Sequence, residues 1–431
     1  MHNKNNKQFI ESLAFSLILF DSLFVYLSKQ HLGFIAPVNI IVPIFLILIS
    51  IRKGYLYILP PRNIVILLAL CSLGFISGAA ILPEYGIHRV LETMSAVTAF
   101  IIGYIYIRWN DNEKSIYTVL LLVGVVYSLV CIIALSKLYP SIFPIVVKLW
   151  AFQGQLIERP EITTDQNFQV FYLLPAIVIL ATPLNKYKLS IVLFIIISAF
   201  YILSALQTRS GILVIIGTVF LCLIAPLWTK TLGRKKTSIL PLLFGIGIII
   251  LLPLILKYGS NILIRFTSTD FSTGLGRLHS FFYLFEHIYN PLWWVPQGNH
   301  ELIELTGNKA HSNITAVFLD GGIISLISWI FIFIIPLIKL GKLFIKKKLD
   351  NISTIVFIAG SATMITQLTL NVPLMDQVWL WGGAVVAAIE KTRHDTQTNV
   401  QSEARITPNP TITNDENIDS KTKFSGVKLK K

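Results

Sequence analysis

Apolar residues fill this chain in long blocks of about 18 residues or more, the length a helix needs to cross the hydrocarbon core of a bilayer. Twelve such windows stand out: roughly 9–28, 33–51, 63–82, 90–107, 115–136, 167–184, 189–207, 211–228, 238–256, 313–338, 352–370 and a short last one, 373–390. They are too long and too uniformly apolar for barrel strands. Lipid also leaves no backbone group unpaired, so each window is expected to be a helix. Most connections between windows are short; the exceptions are residues 137–166 and 257–312. The expected fold is all-α: a polytopic integral membrane protein of about twelve transmembrane helices, with a large loop between the ninth and tenth. Composition agrees, since 54% hydrophobic against 13% charged residues over 431 positions does not describe a soluble globule.

Charge adds orientation. With the N-terminus placed in the cytoplasm, the inner connections collect Arg52, Lys53, Arg234, Lys235, Lys236 and the cluster Lys339, Lys342, Lys346, Lys347 and Lys348. The longer outer loops hold fewer cations. This is the positive-inside pattern, with both termini cytoplasmic. The net charge of +14 is thereby read as a topology signal, not as a nucleic-acid surface. Residues 9–28 lack a small-residue cleavage site and are expected to stay as the first span. Cys71, Cys131 and Cys222 all fall inside apolar windows, as packing residues and not as disulfides or metal ligands. The membrane domain is read as 1–390; from Lys391 the chain is polar, poor in aromatics and expected to be a disordered cytoplasmic tail, 391–431.

Candidate chemistry gathers on the outer side. The 257–312 loop carries His279, His287, His300 and His311 together with Arg265 and Arg277. Within it, "STGLGRLHSFFYLFEHIYNPLWW" has helical periodicity. Leu278, Phe281, Phe282, Phe285 and Ile288 share one face, with Arg277, Glu286 and His287 on another. Ser272 or Thr273 would cap its start and Asn290-Pro291 would end it. Such a helix, followed by Trp293 and Trp294, fits the interfacial plane of a membrane, either as plain anchoring or as a support that sets Arg277 beside a lipid headgroup. Arg209, in "SALQTRSGILV", stands at the outer turn between two windows, where it either snorkels or meets an anionic partner. His311 opens the tenth window. At 100° per residue Gly322 and Ser325 return to nearly its face, so the histidine would top a small-residue face suited to close helix packing. That placement suits a general base, and equally a structural interface histidine.

These residues resemble a family, the bacterial O-antigen ligase and O-antigen polymerase superfamily. Its ligases show His, then Asn, Ser or Gln, nine residues, Gly, two residues, and Gly, Thr or Tyr. Here His311-Ser312 is followed by nine residues, Gly322, Ile323-Ile324 and Ser325, a departure only at the last position. The segments "QTRSG" and "GLGRLHSFF…NPLWWVPQG" are similar to family members too. The specific motifs cover about residues 200–335, and the pattern of spans with its long outer loop covers most of the chain.

The resemblance implies a C-type glycosyltransferase of the bacterial inner membrane, working at its periplasmic face without a cofactor. The donor would be a glycan on undecaprenyl diphosphate. Ligases pass it to lipid A–core, and polymerases pass it to another lipid-linked repeat. Carried over by position, Arg209 and Arg277 would bind the diphosphate, and His311 would activate the acceptor hydroxyl or assist the leaving group. Arg265, Arg159, Ser312 and Asn313 are candidate substrate-binding residues. Guanidinium forks match phosphate oxygens and stabilise the charge that grows as diphosphate leaves. No divalent metal is expected, because diphosphate is already a good leaving group and no outer loop has an Asp-X-Asp pair. Membrane lipids are expected partners. Of the two activities, ligase is the reading taken, with polymerase as its alternative. A small-anion transporter is the alternative from another class. It is disfavoured because the candidates for charge along a mid-span path are few: Asp21, and then Glu92 and Asp320, which both lie near outer ends.

Overall fold

The computed structural model describes residues 9–20, 37–54, 57, 59–82, 86–138, 169–182, 186–205, 209–225, 282–298, 312–367 and 373–406. These residues are helical or lie in turns, with no strand among them. The helices are α1 (Phe9–Leu19), α2 (Pro37–Lys53), α3 (Arg62–Ile81), α4 (Gly86–Trp109), α5 (Glu113–Leu138), α6 (Gln169–Ile177), α7 (Lys186–Ala205), α8 (Arg209–Ile224), α9 (Asn313–Trp329), α10 (Ile335–Ile345), α11 (Asn351–Gln367) and α12 (Asp376–Ile406). A 3-10 turn, Val178–Ala181, continues α6 three residues after its internal Pro175. A π-helical turn, Ile330–Ile334, joins α9 to α10 without interruption. Helices therefore fall in every apolar window of the sequence except 238–256, which lies outside the described residues.

Among the described residues, four helices are long and apolar enough to cross a membrane: Arg62–Ile81, Gly86–Trp109, Glu113–Ser136 and Asn313–Ile345. On the first of them Ile66, Leu70, Leu73 and Ile76 are exposed. On α2, which is shorter, Ile40, Ile44, Ile47, Leu48 and Ile51 recur at helical spacing and are all exposed. On α9, Ile324 and Ile327 are exposed in the same way. Stripes like these would be unsupportable in water and are ordinary against lipid tails.

Two compact units make up the chain, Met1–Thr392 and Arg393–Lys431. In the first, α3 packs along α9, α4 lies against α2 and α3, and α6 is surrounded by α5, α7 and α8. The first half of α12 is buried throughout, with Val378, Trp379, Leu380, Ala384, Ala387 and Ala388 fully covered. Its Trp379 ring meets Phe333 edge-on at 5.2 Å, and Trp381 meets Phe15 at 6.0 Å. The short last window is thus a core element of the bundle. In the second unit, residues 393–406 are helical, whereas composition predicts disorder from Lys391 onward.

Cys71, Cys131 and Cys222 are free and buried, as expected for packing residues. The Cys71 thiol reaches the Ser325 carbonyl at 3.7 Å, and the Cys222 thiol reaches that of Ile177 at 3.7 Å.

Candidate functional site

The start of α9 is where the sequence places its histidine, and the structure describes the chain from the next residue on. Ser312 has extended backbone angles and caps the helix, its carbonyl accepting the Ala316 N–H at 2.9 Å. The Ser312 side chain makes no capping bond, and its Oγ is buried without a partner. Asn313 and Thr315 are fully buried beside it. The first turn of α9 is thus polar and buried.

Three turns are enough to reach the main irregularity. Gly322 has φ +70 and ψ −173, so α9 is broken there. Only glycine takes these angles without strain. The break removes the Leu319 carbonyl from the helix's own ladder, and backbone acceptors that lose a partner must find another. Two outside donors arrive, the Gln297 and Gly298 N–H groups, each at 2.9 Å. Any Cβ at Gly322 would run into the Trp294 carbonyl, so the 294–298 segment lies directly on the helix backbone. Pro296 fills the space between Gly322 and Gly78 of α3.

This corrects one expectation. Gly322 and Ser325 do not form one face, because the 100° count fails at the break. Gly322 faces the 294–296 segment; Ser325 faces α3, where its Oγ donates to the Cys71 carbonyl at 2.8 Å. Both positions are still used for close approach, as small residues should be.

Asp320, just before the break, is almost wholly buried and accepts from Arg89 Nη2 of α4 at 2.9 Å. Arg89 Nη1 also reaches Glu92 Oε2 at 3.3 Å, one turn along α4. The apolar window begins at about residue 90, and the helix that carries it begins at Gly86 and includes Arg89. A second buried acid, Asp376 at the first turn of α12, is met by Ser95 Oγ of α4 at 2.7 Å. From α4, then, both carboxylates are held. Arg89 is already engaged by two acids, which makes it a tie between helices and not an open anion receptor.

The loop helix is seen over residues 282–287, and Asn290 ends it as expected, its side chain capping the 3-10 turn Pro291–Trp294 through Leu292 N at 3.1 Å. Phe282 and Phe285 are exposed, while Tyr283 and Leu284 are buried. His287 does not point to a polar face. It is half-buried between the Tyr283 ring at 4.1 Å and the Trp293 ring at 4.2 Å, with Nδ1 on the Tyr283 carbonyl at 2.8 Å. Stacking with a ring one turn back outweighs solvation of the imidazole. Trp294 Nε1 donates to the Ile288 carbonyl at 2.9 Å, folding the turn back on the helix.

Of the residues singled out from sequence, the structure describes Ser312 and Asn313 in full and places the backbone of Arg209 as the first residue of α8. His311, Arg277, Arg265, Arg159, His279 and His300 lie outside the described residues, as do Ser272 and Thr273. The Arg89–Asp320 tie is what sequence reasoning missed. Its signal was present: one acid inside a long apolar run demands a cation. A scan against protein-family models finds no match for the chain. A search of curated proteins finds none either.

Proposed function

We propose that the chain is a membrane glycosyltransferase that moves a glycan from undecaprenyl diphosphate to an acceptor hydroxyl at the periplasmic face of the bacterial inner membrane. The acceptor in this reading is lipid A–core, as for an O-antigen ligase. Twelve spans, cytoplasmic termini and a periplasmic 257–312 loop complete the picture. One observation supports it above the rest. Within the outer loop, Gln297 and Gly298 donate to the Leu319 carbonyl of α9, the helix that begins two residues after His311. That contact ties residues 294–298 to α9, and a transfer site built from loop and helix would need such a tie.

In the proposed reaction the acceptor oxygen attacks the anomeric carbon, and the bond from that carbon to the diphosphate oxygen breaks. The electron pair leaves with the lipid diphosphate. His311 takes the acceptor proton, while Arg209 and Arg277 offset the growing phosphate charge.

The test is the lipopolysaccharide banding of a deletion strain. Loss of all O-antigen bands with accumulation of lipid-linked polymer supports the ligase. Core carrying a single repeat would replace it with the polymerase reading, and an unchanged ladder would overturn both.

A further inference from the structure

The continuous helix from Asn313 to Ile345 carries cations on the side it turns away from the bundle. Beyond the break at Gly322, Ile324, Ile327, Phe331, Ile338 and Ile345 are all exposed, Ile345 at 69%, and mark that side as apolar. Lys339, Lys342 and Lys346 are exposed as well. Lys342 follows Ile338 by four residues and precedes Ile345 by three, so it shares their face. At about 1.5 Å per residue, a run of about 20 residues from Ile324 uses up the hydrocarbon core, which then ends at about Leu343. Lys346, Lys347 and Lys348 therefore fall at headgroup level, and Lys339 and Lys342 reach it by extending along the helix.

The turn that follows adds a second observation. Lys346 caps α10, the Lys348 N–H donates to the Leu343 carbonyl at 3.0 Å, and the Lys347 N–H donates to the Phe344 carbonyl at 2.9 Å. This pair of bonds needs a left-handed residue just past the helix, a place that glycine takes without strain. Here the residue is Lys347, at φ +55, and no other non-glycine among the described residues has a positive φ. Gly54, which follows α2, meets a similar demand with φ +87 in the ordinary way. A lysine held where glycine would rest more easily points to a use for its charge. Among the described residues no acid forms an ion pair with any of the five lysines. Asp350, the nearest acid in the chain, accepts from the Ser353 N–H at 2.7 Å instead.

We propose that Lys339, Lys342, Lys346, Lys347 and Lys348 form a docking surface for anionic phospholipids, with the ammonium groups on lipid phosphates and acyl chains along the Ile338–Ile345 side. Position favours a lipid over a soluble phosphate or an acidic protein, because the cations border exposed apolar residues that acyl chains would cover. Lysine ammonium groups act as point charges without a fixed fork, so the surface reads negative charge and not the shape of one headgroup. The assignment rests on this helix crossing a membrane and is independent of the glycan-transfer reading.

The test titrates full-length protein in detergent with short-chain phosphatidylglycerol or phosphatidylcholine, followed by native mass spectrometry and melting. Phosphatidylglycerol should bind more tightly and raise the melting temperature, and its advantage should shrink as salt rises. Lys347→Gly removes one charge and the backbone strain together. Without anionic lipid this variant should melt higher than the parent, yet bind phosphatidylglycerol about fivefold more weakly, the share of one cation near an anionic surface. Lys346→Gln combined with Lys348→Gln should lose about 25-fold. If that double variant does not fold, Lys347→Gly carries the test alone. Lys421→Gln combined with Lys423→Gln, in the tail, removes as many charges and should leave binding unchanged. Equal losses from the two double variants would mean that only overall charge matters, and would overturn the site. Equal stabilisation by soluble glycerol phosphate would overturn the lipid assignment, and phosphatidylglycerol binding indifferent to Lys347→Gly would overturn both.

Discussion

Arg89 and Asp320 are 231 residues apart in the chain and meet at 2.9 Å, with only 3% of the Asp320 side chain exposed. The pair closes the gap between α4 and the break in α9. Removing one partner strands a buried charge, at a cost of about 3–5 kcal/mol, whereas removing both leaves only packing to repair. Arg89→Met and Asp320→Leu should each lower the melting temperature more than the double variant does. Singles that melt like the parent would show that the pair does not hold the helices.

Gly322 answers a different question. Alanine there would carry the strain of a positive φ and press its Cβ into the Trp294 carbonyl, a loss of about 1–3 kcal/mol. The 294–298 segment should then detach first. Limited proteolysis of Gly322→Ala should cut within 291–298 faster than in the parent, with the melting temperature reduced. Unchanged cleavage would mean that the segment is held elsewhere.

For the proposed reaction, Arg209→Lys and Arg277→Lys keep a charge but lose the two-pronged phosphate contact, and donor use should fall by about 10²-fold or more. His311→Ala should still bind lipid-linked donor while transfer fails, and the residual rate should lose its dependence on a group titrating near neutral pH. A purely structural histidine predicts a lower melting temperature and activity reduced only in proportion. Donor binding, melting and transfer measured on the same three variants separate the two.

Topology can be read directly. A reporter fused after Lys309 should behave as exported and one after Lys348 as internal, following the lysine cluster Lys346, Lys347 and Lys348. The reverse pattern would remove the donor from the side where His311 is proposed to work.

The sequence by itself determined where helices form, because bilayer thickness sets the length of an apolar run and each helix satisfies its own backbone. The helix in the 33–51 window and the Asn290-Pro291 stop are local in this sense and were legible. The meeting of residues far apart in the chain was left to the tertiary structure. Arg89 carries no signal of its partner in the sequence, and only the packing of α4 against α9 sets it beside Asp320. Gly322 and Ser325 read as a small-residue face, yet the helix breaks at Gly322, where the Gln297 and Gly298 N–H groups satisfy the Leu319 carbonyl. The window 373–390 looks like the weakest span because hydropathy scores contact with lipid, and α12 is instead buried among its neighbours. Periodicity records what each residue asks of its surroundings; which partner answers depends on how the helices come together.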